Sequence, residues 1–521
     1  MPSQFTVLSR ICFIVAALCL SGSTCAADDL RAKIEEIIDG PAYKHAHWGI
    51  LIVDSQTGEP LYERNSNRLF LPASTTKLYS CAAALAAFGP DYRFETPVYR
   101  RGEVRDGKLQ GDLILVAQGD LTMGGRTKSD GEMAFKNHDH IYAGGATEAE
   151  LTDTDPLAGL KELARQVKAA GITSITGDVL IDDRLFERAQ GSGSGPRLIS
   201  PIIINDNIVD LVVTPAGEAG KPASVKMRPQ TSTVHLDAWV ETVSEGQKTE
   251  IQVKPASLHN IVVRGKIPVN SKRRLRIHDV PDPASFARGL FIEALKEAGV
   301  KVAASPLEQP SVELPDMESY AKLPRVATFT SPPFSEIIKV TLKVSHNLYA
   351  STLPLLLAVK QGKRTLAEGF RLQRKFLTDL GIDGNSMTFA SGAGGANADA
   401  VTPQASVQLL RELSKRSDFK VFHAALPVLG VDGTLVDAVS ADSPAKGKVQ
   451  GKTGTLSWYD LLSERTLLTS KALAAVMTTA KGRPLTLAIY VNLVPLPKDV
   501  QTSREGKTIG QICEVIYQQA P

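Results

Sequence analysis

Three short polar motifs, Ser74-Thr75-Thr76-Lys77, Ser345-His346-Asn347 and Lys452-Thr453-Gly454-Thr455, stand in that order and far apart in the chain. A fold that uses them together must leave the first motif, build a large intervening body and return to one cleft twice. The chain is therefore expected to carry a domain split in sequence, with one part near the N-terminus and the rest beyond an insertion. Spacing alone does not single out Ser74, because Ser319/Lys322, Ser417/Lys420 and Ser443/Lys446 repeat it. Setting does. Ser74 follows the strand-like run Gly49 to Val53 and a turn at Ser55 to Pro60, and it opens a helical run, Lys77 to Phe88, that stops at Gly89-Pro90. The rival serines lie in a Pro-rich connector, at the charged end of a helix and directly before a proline.

A serine hydroxyl is a weak nucleophile and needs a neighbouring base. Positions i and i+3 share a helix face, so Lys77 is expected to reach the Ser74 oxygen. Lysine acts as a base only when neutral, so its pKa must fall from about 10.4 towards 7–8. Burial and a second cation both push that way, and Lys452 is the expected cation. Ser345 and Asn347 suit a short turn that presents a hydroxyl for proton relay and an amide for hydrogen bonding. Lys452, Thr453 and Thr455 suit a terminal carboxylate, with Gly454 letting a peptide approach the strand closely. The N–H groups of Ser74 and Thr455 are the expected oxyanion hole. Each motif alone is an ordinary cap, turn or strand end; the ordered set describes an acyl-transfer centre with an active-site serine.

Arg10 is the only charged residue before Asp28, and Ile11 to Leu20 is an apolar run too short to span a bilayer. With Cys25-Ala26-Ala27 as a cleavage site, residues 1–27 are expected to be a signal peptide, and no later stretch is apolar enough for a membrane span. The mature protein is thus expected to be exported, periplasmic or otherwise extracytoplasmic. Removing the leader leaves two of five cysteines, Cys81 and Cys513, which excludes a disulfide framework. Cys81 lies in a run of small residues that suits a buried thiol. A net charge of +3 argues against a nucleic-acid partner.

About 500 mature residues imply two or three domains. Residues 28–97 read as the first part of the catalytic domain, 98–290 as the insertion with a nested β unit near 205–264, and 291–521 as the second part. Gly111-Asp112-Leu113-Ile114-Leu115 is echoed by Gly177-Asp178-Val179-Leu180-Ile181, each an apolar strand after a Gly-Asp turn. Helical spacing marks 156–170, 285–298, 335–361, 365–381, 403–416 and 503–518. Three strands are expected over 448–457, 472–479 and 485–492.

With these motifs, Leu71-Pro72-Ala73-Ser74, Gly89-Pro90-Asp91-Tyr92-Arg93-Phe94, Ser331-Pro332-Pro333 and the phrase Leu426 to Leu435, the chain resembles the D-alanyl-D-alanine carboxypeptidase/endopeptidase family. These are class C low-molecular-mass penicillin-binding proteins, serine peptidase family S13. The resemblance implies an α/β (α+β) penicillin-binding or serine β-lactamase-like fold, an antiparallel sheet flanked by helices and interrupted by an inserted module. It implies hydrolysis of D-alanyl bonds in peptidoglycan stem peptides and cross-links, β-lactams as covalent inhibitors, and no metal or cofactor. A β-lactamase or esterase, and a non-catalytic wall-binding or β-lactam-sensing protein, are the alternatives. Five departures stand out. The family's Asp-Gly-Ser-Gly phrase is Ala390-Ser391-Gly392-Ala393-Gly394-Gly395 here, without the carboxylate. His346 replaces Asp or Asn and is expected to serve the turn. Arg126 to Asp155, with His138-Asp139-His140, is expected to be an exposed polar loop, and Tyr459 to Ser470 an extra charged loop. Where relatives carry a Trp-rich acidic segment, this chain has Gly191-Ser192-Gly193-Ser194-Gly195-Pro196-Arg197, which implies a weaker preference for stem peptides with a side-chain amine.

Overall fold

The computed structural model describes residues 28–144, 148–257 and 259–520, so the expected signal peptide lies outside the described residues. The chain divides into two compact units. The first runs up to Ala83 and includes Ser192–Gly195 and everything from Gln373 on; the second is Ala84–Gly191 with Pro196–Leu372.

In the first unit a five-stranded sheet runs Val449–Asp460, Arg465–Thr478, Pro484–Pro495, His47–Asp54, Pro60–Arg64, each neighbour antiparallel. The first two and the last three strands of the described residues thus share one sheet. His47–Asp54 is buried along nearly its whole length because both its faces are covered. On one face Ile50, Ile52, Leu473, Leu487 and Ile489 meet Leu30 and Ile34 from helix 28–38, and Ile512 and Ile516 from helix Ser503–Gln519. On the other, a buried hydroxyl chain binds three elements. Tyr79 and Tyr490 each lie within hydrogen-bond reach of Ser406 Oγ, at 2.9 and 2.7 Å, and Tyr490 lies 3.3 Å from Thr75 Oγ1. Tyr79 belongs to helix Lys77–Phe88 and Ser406 to helix Pro403–Ser414. Buried hydroxyls need partners, so this chain sets where the helix that follows Ser74 can lie. Cys81 and Cys513 are buried and unpaired, and burial pushes each thiol up to about 12.

The second unit holds a mixed sheet in the order Lys301–Val302, Ser174–Ile175, Lys108–Val116, Glu95–Arg105, Arg325–Thr330, with Val179–Asp182 also beside Lys108–Val116. The echoed Gly-Asp strands are parallel neighbours, and their turns interlock: Asp178 N donates to Asp112 Oδ1 at 2.7 Å, and a Cβ on Gly177 would stand 2.6 Å from Gly111 O. The strands at 301–302 and 325–330 join this sheet although they lie past residue 290. The nested β unit consists of two three-stranded sheets and extends to Asp279.

Three local expectations change. The run at 335–361 is two helices, Phe334–Lys343 and Asn347–Lys360, broken at Ser345, whose φ of +62° is left-handed. Tyr459 to Ser470 is no loop: both flanking strands continue into it, and the hairpin tip exposes Leu461 (84%), Leu462 (96%) and Trp458 (68%). Asp139 and His140 are buried rather than exposed, because Arg126 draws in carboxylates that satisfy it. No helix among the described residues is long and apolar enough to cross a membrane.

Candidate active site

Leu71 is pinned to the sheet before Ser74 is reached: its N–H donates to Asn492 Oδ1 at 2.8 Å, and Ser470 Oγ donates to its carbonyl at 2.6 Å. A single 3-10 turn, Ala73–Thr76, then carries Ser74 into helix Lys77–Phe88. Ala73 has a φ of +45°, a left-handed strain tolerated where surrounding structure enforces it. The enforcing neighbours are two glycines. A Cβ on Gly394 would stand 1.8 Å from Ala73 O, and one on Gly454 would stand 2.4 Å from Pro72 O and 3.1 Å from Ser74 N. The neighbour admitted by the small Gly454 is therefore the chain's own Ser74 turn.

Lys77 Nζ donates to Ser74 Oγ at 2.7 Å and to Ala393 O at 2.9 Å. Lys77 has no exposed surface, and burial lowers its pKa to about 7, with Cys81 and Asp399 acting in the opposite sense. Burial is the leading cause, and the mutual repulsion with Lys452 acts in the same sense. The repulsion registers on Lys452, which is also fully buried: burial and then Lys77 hold it well below the ordinary lysine value.

The altered segment at 390–395 keeps its shape through Asp399, which the sequence reading missed. Asp399 accepts from Ala390 N at 2.6 Å, Ser391 Oγ at 3.0 Å and Ala396 N at 3.1 Å. Ser391 Oγ in turn accepts from Gly394 N at 2.9 Å. A carboxylate from just beyond the segment thus presents Ala393 O to Lys77. The Gly-rich stretch packs on the same segment: Ser194 N donates to Gly395 O at 3.2 Å, and a Cβ on Gly193 would stand 1.7 Å from that oxygen.

Pairing of Pro427 to Leu429 with the edge strand Val449–Asp460 ends at Gly451 N to Pro427 O, 3.0 Å. The family-like phrase at 426–435 therefore covers the start of this edge and stops one residue short of Lys452. Lys452 Nζ donates to Thr453 O at 2.7 Å, and Thr453 Oγ1 donates to Thr434 Oγ1 at 2.6 Å. Lys471, opposite Thr455 in register, donates to Thr455 Oγ1 at 2.8 Å.

Ser345 and Asn347 lie in the second unit. Tyr142 OH donates to Ser345 O at 2.5 Å, and Asn347 begins the next helix. His346 serves the turn: its ring caps that helix, accepting from Tyr349 N at 3.4 Å, and stacks on the Tyr349 ring with centroids 3.6 Å apart. With Nδ1 accepting, the proton sits on Nε2, which lies 3.2 Å from Asp206 Oδ1. Asp206 also takes Arg126 Nη2 at 2.7 Å, His140 Nε2 at 3.0 Å and the Tyr349 hydroxyl. Burial opposes its charge, but Arg126 and His346 keep its carboxyl well below the usual range. His140, between Asp206 and Asp210, overcomes burial and is raised to about 9. Among the described residues no group of three or more His, Cys, Asp or Glu side chains is placed to hold a metal.

The model of the D-Ala-D-Ala carboxypeptidase 3 (S13) family matches residues 30–508. The chain belongs to this family. Its enzyme class is accordingly that of a serine-type D-Ala-D-Ala carboxypeptidase. A D-alanyl-D-alanine carboxypeptidase from Actinomadura sp. (strain R39) is 29% identical over 464 residues, 84% of this chain and 78% of that protein. The D-alanyl-D-alanine carboxypeptidase DacB of Haemophilus influenzae is 22% identical, with 85% of each chain covered. The crystal structure of penicillin binding protein 4 (dacB) from Haemophilus influenzae shares the fold at a TM-score of 0.69 and 19% identity, covering 93% of this chain and 98% of that one. The S13 fold supplies the antiparallel sheet flanked by helices that the resemblance implied. Within this S13 enzyme, Asp399, Ala393 O, Lys471, Asn492 and Tyr142 had no local sequence signal, since each acts through a partner distant in the chain.

Proposed function

We propose that this S13 enzyme acts through an acyl-enzyme on Ser74, with Lys77 as the general base. The observation that carries the reading is the 2.7 Å contact of Lys77 Nζ with Ser74 Oγ, made by an amine that burial brings down to about 7. A neutral Lys77 takes the Ser74 proton as its oxygen attacks the scissile carbonyl, and the developing oxyanion is met by the N–H groups of Ser74 and Thr455. Ser345 relays the proton to the leaving amine, and Asn347 binds a substrate amide; both roles rest on the motif order and the family. Lys452, Thr453 and Thr455, at the point where the edge strand is no longer covered, take the carboxylate end of the peptide, while Gly454 makes room for the Ser74 turn.

The substrates are D-alanyl-D-alanine stem peptides of peptidoglycan and, by the same chemistry, cross-links. β-Lactams acylate Ser74 as covalent inhibitors. Residues 1–27 export the chain, and the mature enzyme works outside the cytoplasm. A decayed, non-catalytic site is disfavoured by the closed Lys77, Ala393, Ser391, Asp399 chain, which holds the base in position without the family's usual phrase. The test is mass spectrometry after brief exposure to penicillin, on wild type and Ser74→Ala. A single adduct on the peptide containing Ser74, absent from the variant, is expected. An adduct that persists in Ser74→Ala overturns the nucleophile.

A further inference from the structure

Ser345 stands between helices Phe334–Lys343 and Asn347–Lys360 in a left-handed conformation, which a non-glycine residue keeps only where its surroundings enforce it. Two groups hold the peptide that follows it. The His346 N–H donates to Thr341 O at 3.0 Å, and the Tyr142 hydroxyl donates to Ser345 O at 2.5 Å. The N–H and C=O of a trans peptide point in opposite directions, so the plane between Ser345 and His346 is pinned at both ends. Burial raises the Tyr142 hydroxyl to about 12, against the effect of the Ser345 hydrogen bond, which keeps it a donor.

Thr341 belongs to the helix that leads into the turn, so its contact comes with that helix. Tyr142 is brought from a distance, by a segment that is itself firmly held. It ends the 3-10 turn His140–Tyr142, which Asp139 caps by accepting from Ile141 N at 3.4 Å. Asp139 in turn takes Arg126 Nη1 and Nη2 at 2.9 and 2.8 Å, and His140 lies between Asp206 and Asp210 at 3.0 and 2.7 Å. Upstream, Met133 N donates to Glu336 Oε2 at 2.7 Å, on the helix that enters the Ser345 turn. The charged cluster therefore delivers one neutral donor to one carbonyl. Without that hydroxyl, the carbonyl of the buried Ser345 loses this partner, and the strained turn can relax. Any relaxation re-aims Cβ and, with it, Ser345 Oγ.

We infer that Tyr142 is a positioning residue for the proton relay: it fixes the Ser345 backbone so that Oγ meets the leaving nitrogen. The inference rests on the acyl-enzyme reading above and extends it to a residue outside the three motifs. In acylation of a peptide the bond from Ser74 Oγ to the carbonyl carbon forms, the carbon–nitrogen bond breaks, and the amine must receive a proton. In acylation by a matched thioester the thiolate departs without one, and the Ser74 proton stays on Lys77. A misplaced Ser345 therefore slows the peptide and spares the thioester.

The experiment measures kcat/KM, which reports acylation, for an acylated D-Ala-D-Ala peptide and its matched thioester. The full-length enzyme is compared with Tyr142→Phe, Ser345→Ala and the double variant. Tyr142→Phe should lower the peptide-to-thioester ratio by about tenfold or more, since small displacements of a reacting group are costly. Ser345→Ala should lower it at least as far, and adding Tyr142→Phe to Ser345→Ala should change it no further, because the two act through one group. A merely structural tyrosine would instead lower both substrates together, in either background. Equal losses on peptide and thioester, or an unchanged ratio in Tyr142→Phe beside a lowered one in Ser345→Ala, overturns the role of Tyr142 alone. A ratio that Ser345→Ala leaves at the wild-type value overturns the relay in the acyl-enzyme reading itself.

Discussion

Both units bury ionisable groups, and they do so in opposite ways. In the first, the buried amines of Lys77 and Lys452 donate to the neutral oxygens of Ser74, Ala393 and Thr453, and burial drives both down the pH scale. In the second, Arg126 and His140 meet Asp139, Asp206 and Asp210 in a set of charge-assisted hydrogen bonds, and Arg126, His140, Asp139 and Asp206 are each shifted towards the charged form. An uncompensated buried charge is unstable and can become neutral, which is what a general base requires. A compensated one is fixed, and it anchors a strained backbone: Asn205, Asp206 and Asn207 all have positive φ. The lesson is that pairing, more than burial, separates a reactive cluster from a scaffolding one.

The most severe break is Asp206→Ala. It strips a carboxylate from two buried cations and is expected to destabilise by about 3–5 kcal/mol, the cost of leaving a buried charge unpaired. Urea unfolding measures the loss, and hydrogen exchange should show it concentrated around His346 and Tyr349. A change below about 0.5 kcal/mol would mean that the network is solvated, and the contrast between the clusters would fall with it.

Next in size is Lys77→Arg, which keeps the charge but cannot become neutral. Acylation by penicillin should slow by about 10²-fold or more, the usual contribution of a general base. In wild type the acylation rate should climb as pH rises through about 7, where Lys77 loses its proton. A flat profile from pH 6 to 8 in a folded enzyme moves the base elsewhere.

A smaller effect is expected from Gly394→Ala. The new Cβ meets Ala73 O at a φ of +83°, so the turn or the segment must shift, at about 1–3 kcal/mol for an overpacked site. Acylation should fall more than stability does, because the displaced atoms belong to the Ser74 turn and the Ala393 acceptor. Stability lost with wild-type acylation would separate the segment from the nucleophile.

The gentlest test is pH dependence, and the clusters should respond with opposite signs. Lys77 has a folded pKa near 7, below its unfolded value, so its burial is costliest in acid and the cost fades as pH rises towards about 10.4. Lys77→Met should therefore raise Tm, and raise it more at pH 6 than at pH 9. His140 has a folded pKa near 9, above its unfolded value of about 6.5. Its contribution is full below about pH 6.5 and is lost as pH rises through 9. Exchange rates around His140 that are equal at pH 6 and 9.5 would show the imidazolium contributes nothing.

Helices with strong periodicity were legible within a residue or two: Lys77–Phe88, Pro283–Glu297, Pro403–Ser414 and Ser503–Gln519 all lie where spacing and capping residues put them. Long-range environment was not legible. His138-Asp139-His140 looks like a polar loop because nothing local announces that Arg126, Asp206 and Asp210 will close around it. Tyr459 to Ser470 looks like a charged loop because cross-strand pairing, which turns it into a hairpin, involves residues read one at a time. Asp182 and Asp183 follow the second Gly-Asp turn, and nothing local announces that Arg184 and Arg188 engage them.

By itself the sequence determined the chemistry available: a serine three residues before a lysine at a helix start, a hydroxyl–amide pair, a lysine-bearing strand, and a family phrase that specifies the covered end of that strand. These are local choices of residue type, and local patterns carry them. Only the tertiary structure decided how the amines would behave. Lys77 is brought down to about 7 because the fold removes water from it, with the Ala393 carbonyl, held through Ser391 and Asp399, set against its Nζ. The half-buried Lys471 meets Thr455 because Arg465–Thr478 pairs in the register that sets the two opposite each other. Charge states depend on desolvation and on partners distant along the chain, and neither exists until the chain has folded.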